Sequence, residues 1–267
     1  MKKSLLILAF ALSGTFAFPQ TAEVGLFGGL SYYLGDINPG IHFMNSKPAY
    51  GAVARVNLDS RWVIKASGYR GKIKGDDGMG NTNDQRGLKF ESTLTDVSLT
   101  AEFNFYDYIT GSRRNIMSPY IFAGMSMAFF NPTADGVNLR DIGTEGQQEG
   151  FDGRKPYNRV AFAIPFGVGV KYSLNRRLGL SAEWGMRKSY TDYLDDVSTT
   201  YYLDGSQIDT GNPEEVLSDP TLSHKAYQER GNPTTDDWYC FTGVSLTYKF
   251  RLYSKRKCPG QGTTSTD

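Results

Sequence analysis

Phe162-Ala163-Ile164-Pro165-Phe166-Gly167-Val168-Gly169-Val170-Lys171-Tyr172-Ser173 sorts its side chains by parity. Phe162, Ile164, Phe166, Val168, Val170 and Tyr172 share one face; Ala163, Pro165, Gly167, Gly169, Lys171 and Ser173 share the other. Successive side chains of a strand point to opposite faces. One face here is apolar from end to end, and the other is small or charged. A soluble sandwich buries such an apolar face against a second sheet. A membrane barrel turns it to lipid and lines its lumen with the small and charged set.

The alternation recurs eight times, at 22–34, 50–58, 62–72, 90–105, 119–130, 162–173, 178–190 and 238–251. In the first segment Val24, Leu26, Leu30 and Tyr32 share the apolar face, opposite Glu23, Gly25, Phe27, Gly29, Ser31 and Tyr33. In the seventh, Leu178, Leu180, Ala182, Trp184 and Met186 oppose Gly179, Ser181, Glu183, Gly185 and Arg187. Most of these segments are about twice the roughly five or six residues of an average globular strand.

Their connections alternate in length. Those after the second and sixth segments are tight (59–61 and 175–177), and that after the fourth is intermediate (107–118). Those after the first, third, fifth and seventh are long (35–49, 75–89, 131–159 and 191–237). Outer-membrane barrels have short periplasmic turns and long external loops, whereas a sandwich has no reason for this parity. The expected fold is therefore all-β, an eight-stranded antiparallel up-and-down transmembrane β-barrel in the outer membrane with both termini in the periplasm. Pro165 cannot donate to a ladder, so a bulge or a locally open ladder is expected there.

The chain opens Met1-Lys2-Lys3, continues with an apolar run at 5–12 and then Ser13-Gly14-Thr15. That is the layout of a secretory signal peptide, assigned to residues 1–20 with cleavage after Ala17 or Gln20. The barrel then spans 21–252, and 253–267 forms a basic periplasmic tail. Mean hydropathy is −0.41, a value that would suit a soluble protein, but barrel strands give a far weaker hydropathy signal than membrane helices. A net charge of +1 gives no footprint for nucleic acid.

The inward positions collect Glu23, Arg55, Lys65, Asp96, Glu102, Lys171, Glu183, Arg187, Lys249 and Arg251. Eight strands enclose an interior that side chains fill, and charges buried there must pair. A salt-bridged plug is expected rather than an ion path, so the barrel is not read as a porin.

Several short strings suggest chemistry and fail on context. Tyr193-Leu194-Asp195-Asp196 matches a polymerase string whose carboxylates hold metal, but it follows a strand of a secreted chain. Asp192, Asp195 and Asp196 offer the oxygen ligands Ca²⁺ takes and are the chain's one metal candidate; no metal centre or cofactor is assigned. Asp209-Thr210-Gly211 occurs once, whereas aspartic proteases need two such aspartates; a turn is the expectation. The two histidines, His42 and His224, both fall in long connections with no serine placed beside them, so no nucleophile is assigned, no enzyme is expected, and no small-molecule substrate is expected. Cys240 and Cys258 lie toward opposite ends of the last strand and its tail, too far apart for a disulfide.

The short turns carry Arg61, Arg113, Arg114, Arg176 and Arg177, and the tail adds Lys255, Arg256 and Lys257. So many like charges at one rim favour an acidic partner surface or anionic headgroups.

Leu30-Ser31-Tyr32-Tyr33-Leu34-Gly35-Asp36-Ile37-Asn38-Pro39 closes the first strand, and Tyr190-Thr191-Asp192-Tyr193-Leu194-Asp195-Asp196-Val197-Ser198 closes the seventh. Asp237-Trp238-Tyr239 opens the eighth, and Lys257-Cys258-Pro259 lies in the tail. In order and placement these strings resemble the PorG-like outer-membrane barrels of Bacteroidetes, across essentially the whole mature chain. That resemblance implies a part in the type IX secretion system, where such barrels are thought to hold a periplasmic ring of PorK and PorN proteins to the outer membrane. It implies no catalytic residues. Besides outer-membrane lipid, the partners it implies are ring proteins of the PorK/PorN type. The competing expectations are a small structural or adhesive barrel acting through its external loops, and a lipid-modifying enzyme.

Overall fold

The computed structural model describes residues 21–80 and 85–252. The signal segment and the tail with Lys255, Arg256, Lys257 and Cys258 lie outside the described residues. Eight long strands make one antiparallel sheet: β1 (Thr21–Leu34), β2 (Lys47–Asn57), β3 (Trp62–Asp76), β4 (Lys89–Asn104), β5 (Met117–Ala134), β6 (Val160–Ser173), β7 (Leu178–Ser189) and β8 (Trp238–Arg251). Each pairs with its neighbours in the chain, and β8 pairs with β1 to close the cylinder. A two-residue strand, Val137–Asn138, folds back on the end of β5.

The register carries the sequence parity around the barrel. Val24 opposes Ala54 and Tyr248, and Ala54 opposes Ala66, so outward side chains meet outward side chains from strand to strand. Leu26, Val97, Leu99, Met125, Phe129, Val168, Leu246 and Tyr248 are all exposed on this outer wall. An apolar surface this continuous is far larger than a water-facing protein carries; it is a lipid-facing band. On β3 the apolar outer positions run from Trp62 to Gly68, and Arg70 ends them. From position 62 to 70, at ~3.3 Å per residue and a tilt of roughly 40°, the band is about 20 Å tall. Membrane barrels carry a band of about 25 Å.

Pro165 acts as its chemistry requires. β5 and β6 keep one register from Met117↔Tyr172 to Phe129↔Val160, but pairing lapses between Gly124–Met125 and Ile164–Pro165. The ladder opens locally, and no bulge residue is inserted.

Tyr32 corrects one expectation. It occupies an outward position yet is fully buried. The connection after β1 folds down over the outer wall, setting the Phe43 ring 4.9 Å from that of Tyr32 and His42 Nδ1 3.1 Å from its hydroxyl. Trp184 Nε1 donates to the same hydroxyl at 2.9 Å. Met186 and Cys240 fill the remaining space. Phenol and indole polar atoms thus satisfy each other beneath the folded-back loop. Cys240 is a free, buried thiol.

The half of the lumen nearer the long loops is an aromatic core. Phe27 stacks on Tyr69 at 4.2 Å, Tyr69 meets Phe241 at 5.4 Å, and Tyr33 meets Phe90 edge-on at 4.9 Å. Inward glycines make room for these rings. A Cβ on Gly169 would stand 2.5 Å from the Tyr120 ring, and one on Gly51 2.6 Å from Tyr69.

Candidate functional site

Three regions gather polar side chains: the lumen, the long-loop end and the short-turn end. In the lumen, Glu102 lies 3.2 Å from Arg55 Nε, 3.4 Å from Lys65 Nζ and 2.6 Å from Lys171 Nζ. Glu183 lies 2.9 Å from Lys65 Nζ and accepts from the Tyr69 and Tyr120 hydroxyls at 2.8 and 3.0 Å. Arg187 has its guanidinium over the rings of Tyr69 and Phe241, at 5.6 and 5.0 Å, while Asp96 accepts from the Tyr239 hydroxyl at 2.7 Å. Nearer the short turns, Glu23 accepts from Thr110 at 2.7 Å and Thr247 at 2.9 Å.

These eight charges are all buried, four basic and four acidic, so the interior is neutral. Two further residues expected inside are not. Arg251 is exposed at the rim, and Lys249 is half-buried there, donating to the Thr110 carbonyl. At a strand end the pleat still alternates, but a side chain on the inward side meets water rather than a wall. The rows of aromatic and ion-paired side chains across the lumen fill it, as an eight-stranded cylinder requires.

At the long-loop end the connections fold into an ordered cap. Arg230, fully enclosed, donates to the Asp196 carbonyl at 2.6 Å and to Glu145 Oε1 at 3.2 Å. Glu145 in turn accepts from the backbone amides of Ser198 and Thr199 at 2.9 and 3.1 Å. Arg86 grips Asp77 at 2.8 Å and the Asp36 carbonyl at 2.9 Å. The Tyr33 hydroxyl reaches up from β1 to both Asp195 and Asp237, at 2.5 and 2.9 Å. All four long connections are thereby joined. Beside them lies an open pocket of about 610 Å³ lined by Ile37, Leu88, Leu139, Val197, Leu217 and Arg230, among others.

The three aspartates considered for Ca²⁺ diverge in this cap. Asp195 faces Tyr33, whereas Asp196 accepts from Thr144 and from Tyr157 at 2.6 Å. Asp196 adopts a left-handed backbone, φ 67°, which aspartate tolerates. Both Asp192 oxygens are buried without a well-formed hydrogen bond; Ser198 lowers its pKa only in part. Burial pushes Asp192 up to about 8 and Asp196 up to about 6, the latter against the opposing pull of Arg230. Burial also raises Asp195 and Asp237. Among the described residues no group of three histidine, cysteine or acidic side chains is placed to hold a metal ion.

The remaining motifs resolve into local structure. Asp209 Oδ1 accepts from the Gly211 amide at 2.8 Å, an Asx turn. His224 Nδ1 pairs with Asp219 at 2.8 Å, and Thr221 approaches the same nitrogen at 3.4 Å. A hydroxyl and a carboxylate on one nitrogen do not make a nucleophile relay, which needs them on opposite sides of the ring. His42 is taken up by Tyr32.

At the short-turn end Arg61, Arg113, Arg114, Arg176 and Arg177 are exposed together on the three short turns. Arg61 pairs with Asp107 at 2.9 Å, and Arg177 donates to the Tyr248 hydroxyl at 3.0 Å. Sequence reasoning found these rim arginines and eight of the ten expected lumen charges, named Asp237 only within the string that opens the last strand, and missed Glu145, Arg230 and Tyr157. They lie in loops without periodicity, and Glu145 and Arg230 are 85 positions apart.

A closed, salt-bridged lumen inside a lipid-facing wall defines a small transmembrane β-barrel with a loop-built cap at one end and a basic rim at the other. The family model described as Domain of unknown function (DUF6089) matches residues 2–258. The chain belongs to that family. Among solved structures it is similar to the N-terminal β-barrel domain of Pseudomonas aeruginosa OprF, at 13% identity and a TM-score of 0.40, covering 86% of this chain and 98% of that one. It is also similar to Neisserial surface protein A, at 9% identity and a TM-score of 0.46 over 86% and 97% of the two chains. A third is Ail, the attachment invasion locus protein of Yersinia pestis, at 10% identity and a TM-score of 0.43 over 87% and 100%. No curated protein matches the chain by sequence.

Proposed function

We propose that this barrel is a non-catalytic outer-membrane anchor for periplasmic components of the type IX secretion system, with ring proteins of the PorK/PorN type as its partners. In this reading the long connections face outward, while the short turns and both termini face the periplasm. The observation that carries it is the exposed arginine rim: Arg61, Arg113, Arg114, Arg176 and Arg177 crowd the three short turns. A filled lumen supports the same reading by leaving no channel for transport. Lys255, Arg256 and Lys257 extend the basic charge of that end in the sequence.

The test is a pull-down from membranes of cells expressing the full chain with Arg61→Glu, Arg113→Glu, Arg176→Glu and Arg177→Glu. Loss of the ring proteins from the co-purified material, with normal barrel assembly, is expected. Unchanged co-purification refutes the site. The ordered cap favours the second reading, a structural or adhesive barrel acting through its external loops. Deletion separates the two, because secretion stops only under the first.

A further inference from the structure

The outer wall changes character sharply on one side of the barrel. On β2 to β5 a single register row holds Tyr50, Arg70, Thr95 and Phe129. The row next nearer the short turns is Ala52, Gly68, Val97 and Met127, wholly apolar. The two rows beyond, toward the long loops, are Lys72, Thr93 and Asn131, then Lys74, Glu91 and Thr133. Tyr50 and Phe129 are exposed at 64% and 45%. Exposed aromatics at the edge of an apolar band mark the membrane–water interface. Arg70 therefore sits at the interface, and Lys72 and Lys74 stand just beyond it, at headgroup depth.

These three cations project from the same face of β3, about 7 Å apart along the strand. Arg70 and Lys72 are exposed and Lys74 is half-buried. Acid on this face is sparse: Glu91 takes Lys72 at 2.6 Å, and Asp76 takes Lys89 at 3.5 Å. The patch keeps a net positive charge from Arg70 and Lys74. The adjoining wall of β1, β7 and β8 around Tyr32 is instead covered by His42 and Phe43; the outward cation on that side, Lys188, stands alone, half-buried with its Nζ 6.0 Å from the Tyr190 ring centroid, so the cluster of three cations belongs to the β3–β4 side.

We propose that Arg70, Lys72 and Lys74 form a binding site for the phosphate of a lipid A headgroup in the outer leaflet. Arginine matches phosphate oxygens with two parallel donors, and lysine adds point charge. Acyl chains then lie on Val97, Leu99, Met125 and Met127 directly below. The choice of glycolipid over phospholipid rests on the reading that the long loops face outward.

The test uses the full-length barrel in nanodiscs, with native mass spectrometry counting bound lipid. Bisphosphorylated lipid A, its dephosphorylated form, phosphatidylglycerol and inorganic phosphate are offered separately. The wild type is expected to retain phosphorylated lipid A over the dephosphorylated form. Arg70→Gln/Lys72→Gln/Lys74→Gln is expected to lose that retention by at least about tenfold. These side chains leave the wall outward, and the folded-barrel gel shift checks that the variant assembles. Lys155→Gln/Lys225→Gln, two exposed cations of the long connections, is expected to bind lipid A as the wild type does.

Equal retention of dephosphorylated lipid A, or a triple variant that binds as the wild type, overturns the site. Equal retention of phosphatidylglycerol, or retention of inorganic phosphate alone, overturns the assignment to lipid A. Protease added to intact cells reports separately on orientation. Cleavage within 199–236 in intact cells supports outward loops, and cleavage there only after the outer membrane is permeabilised overturns the orientation without deciding whether the patch binds phosphate.

Discussion

Glu102→Gln is the sharpest test of the lumen as a neutral, paired plug. Glu102 is fully buried and meets Arg55, Lys65 and Lys171 within 3.4 Å. Its removal leaves Arg55 and Lys65 facing Glu183 and Lys171 without its carboxylate, and turns a balanced interior into one with four basic and three acidic groups. The amide keeps the shape and still accepts from one donor, so the change is electrostatic rather than steric. Breaking a buried pair by neutralising one partner costs about 3–5 kcal/mol, and the three close cations here put the expected loss in that range. Urea titration of the refolded barrel in micelles measures it, followed by tryptophan fluorescence and by the gel shift of the folded form. Adding Lys171→Met restores neutrality and should recover part of the loss, with a coupling of more than about 1 kcal/mol between contacting sites. If Glu102→Gln unfolds within about 0.5 kcal/mol of the wild type, the range of an ordinary surface change, the plug does not stabilise the barrel and the reasoning fails.

Two further outcomes follow from the cap and the wall. Asp196 has its pKa raised to about 6 from 3.8, so the folded cap holds a proton that the unfolded loop has lost. The part of cap stability that Asp196 supplies is therefore full below about pH 4 and is lost as pH rises to about 6, and Asp192, raised to about 8, carries the decline further; hydrogen-exchange protection of 190–237, corrected for the intrinsic pH dependence, should fall over that window, and Asp196→Asn should flatten its lower part. Gly169→Val would drive a side chain into the Tyr120 ring and the Ala182 carbonyl, 2.5 and 2.6 Å from a Cβ there. Overpacking of this kind costs about 1–3 kcal/mol, and a weaker Tyr120–Glu183 contact should appear as a lower urea midpoint; an unchanged midpoint would show that the ring has room to move.

The barrel was legible because a closed wall between lipid and a filled lumen imposes a two-residue period on every strand. β8 could be read to its ends, Trp238 and Arg251. β5 was read short, at 119–130, because Asn131 and Thr133 look like loop residues; they continue the ladder to Ala134, where the outer face has left the lipid band. Parity misplaced Arg251 and the surroundings of Tyr32 for related reasons. Alternation states which way a side chain points, but not whether water or a folded-back loop meets it there. The cap was not legible at all. Arg230, Glu145, Asp196 and Asp237 meet through loop geometry that no spacing encodes, and the Ca²⁺ expectation for Asp192, Asp195 and Asp196 read as neighbours three carboxyls whose side chains point to different partners.

The two ends of the barrel use charge in opposite ways. At the long-loop end the buried charged groups are used within the cap itself: Arg230 is enclosed by Glu145 and Asp196, and Arg86 by Asp77 and the Asp36 carbonyl. Removing such groups would loosen loops before it affected any partner. At the short-turn end the ion pair between Arg61 and Asp107 is exposed on both sides, and exposed pairs contribute only about 0–1 kcal/mol. Arg113, Arg114 and Arg176 make no ion pair among the described residues. The fold does not need this rim, so charge reversal there can change association without changing assembly. A barrel whose assembly is as sensitive to the rim arginines as to Glu102 would therefore contradict this division between structure and contact.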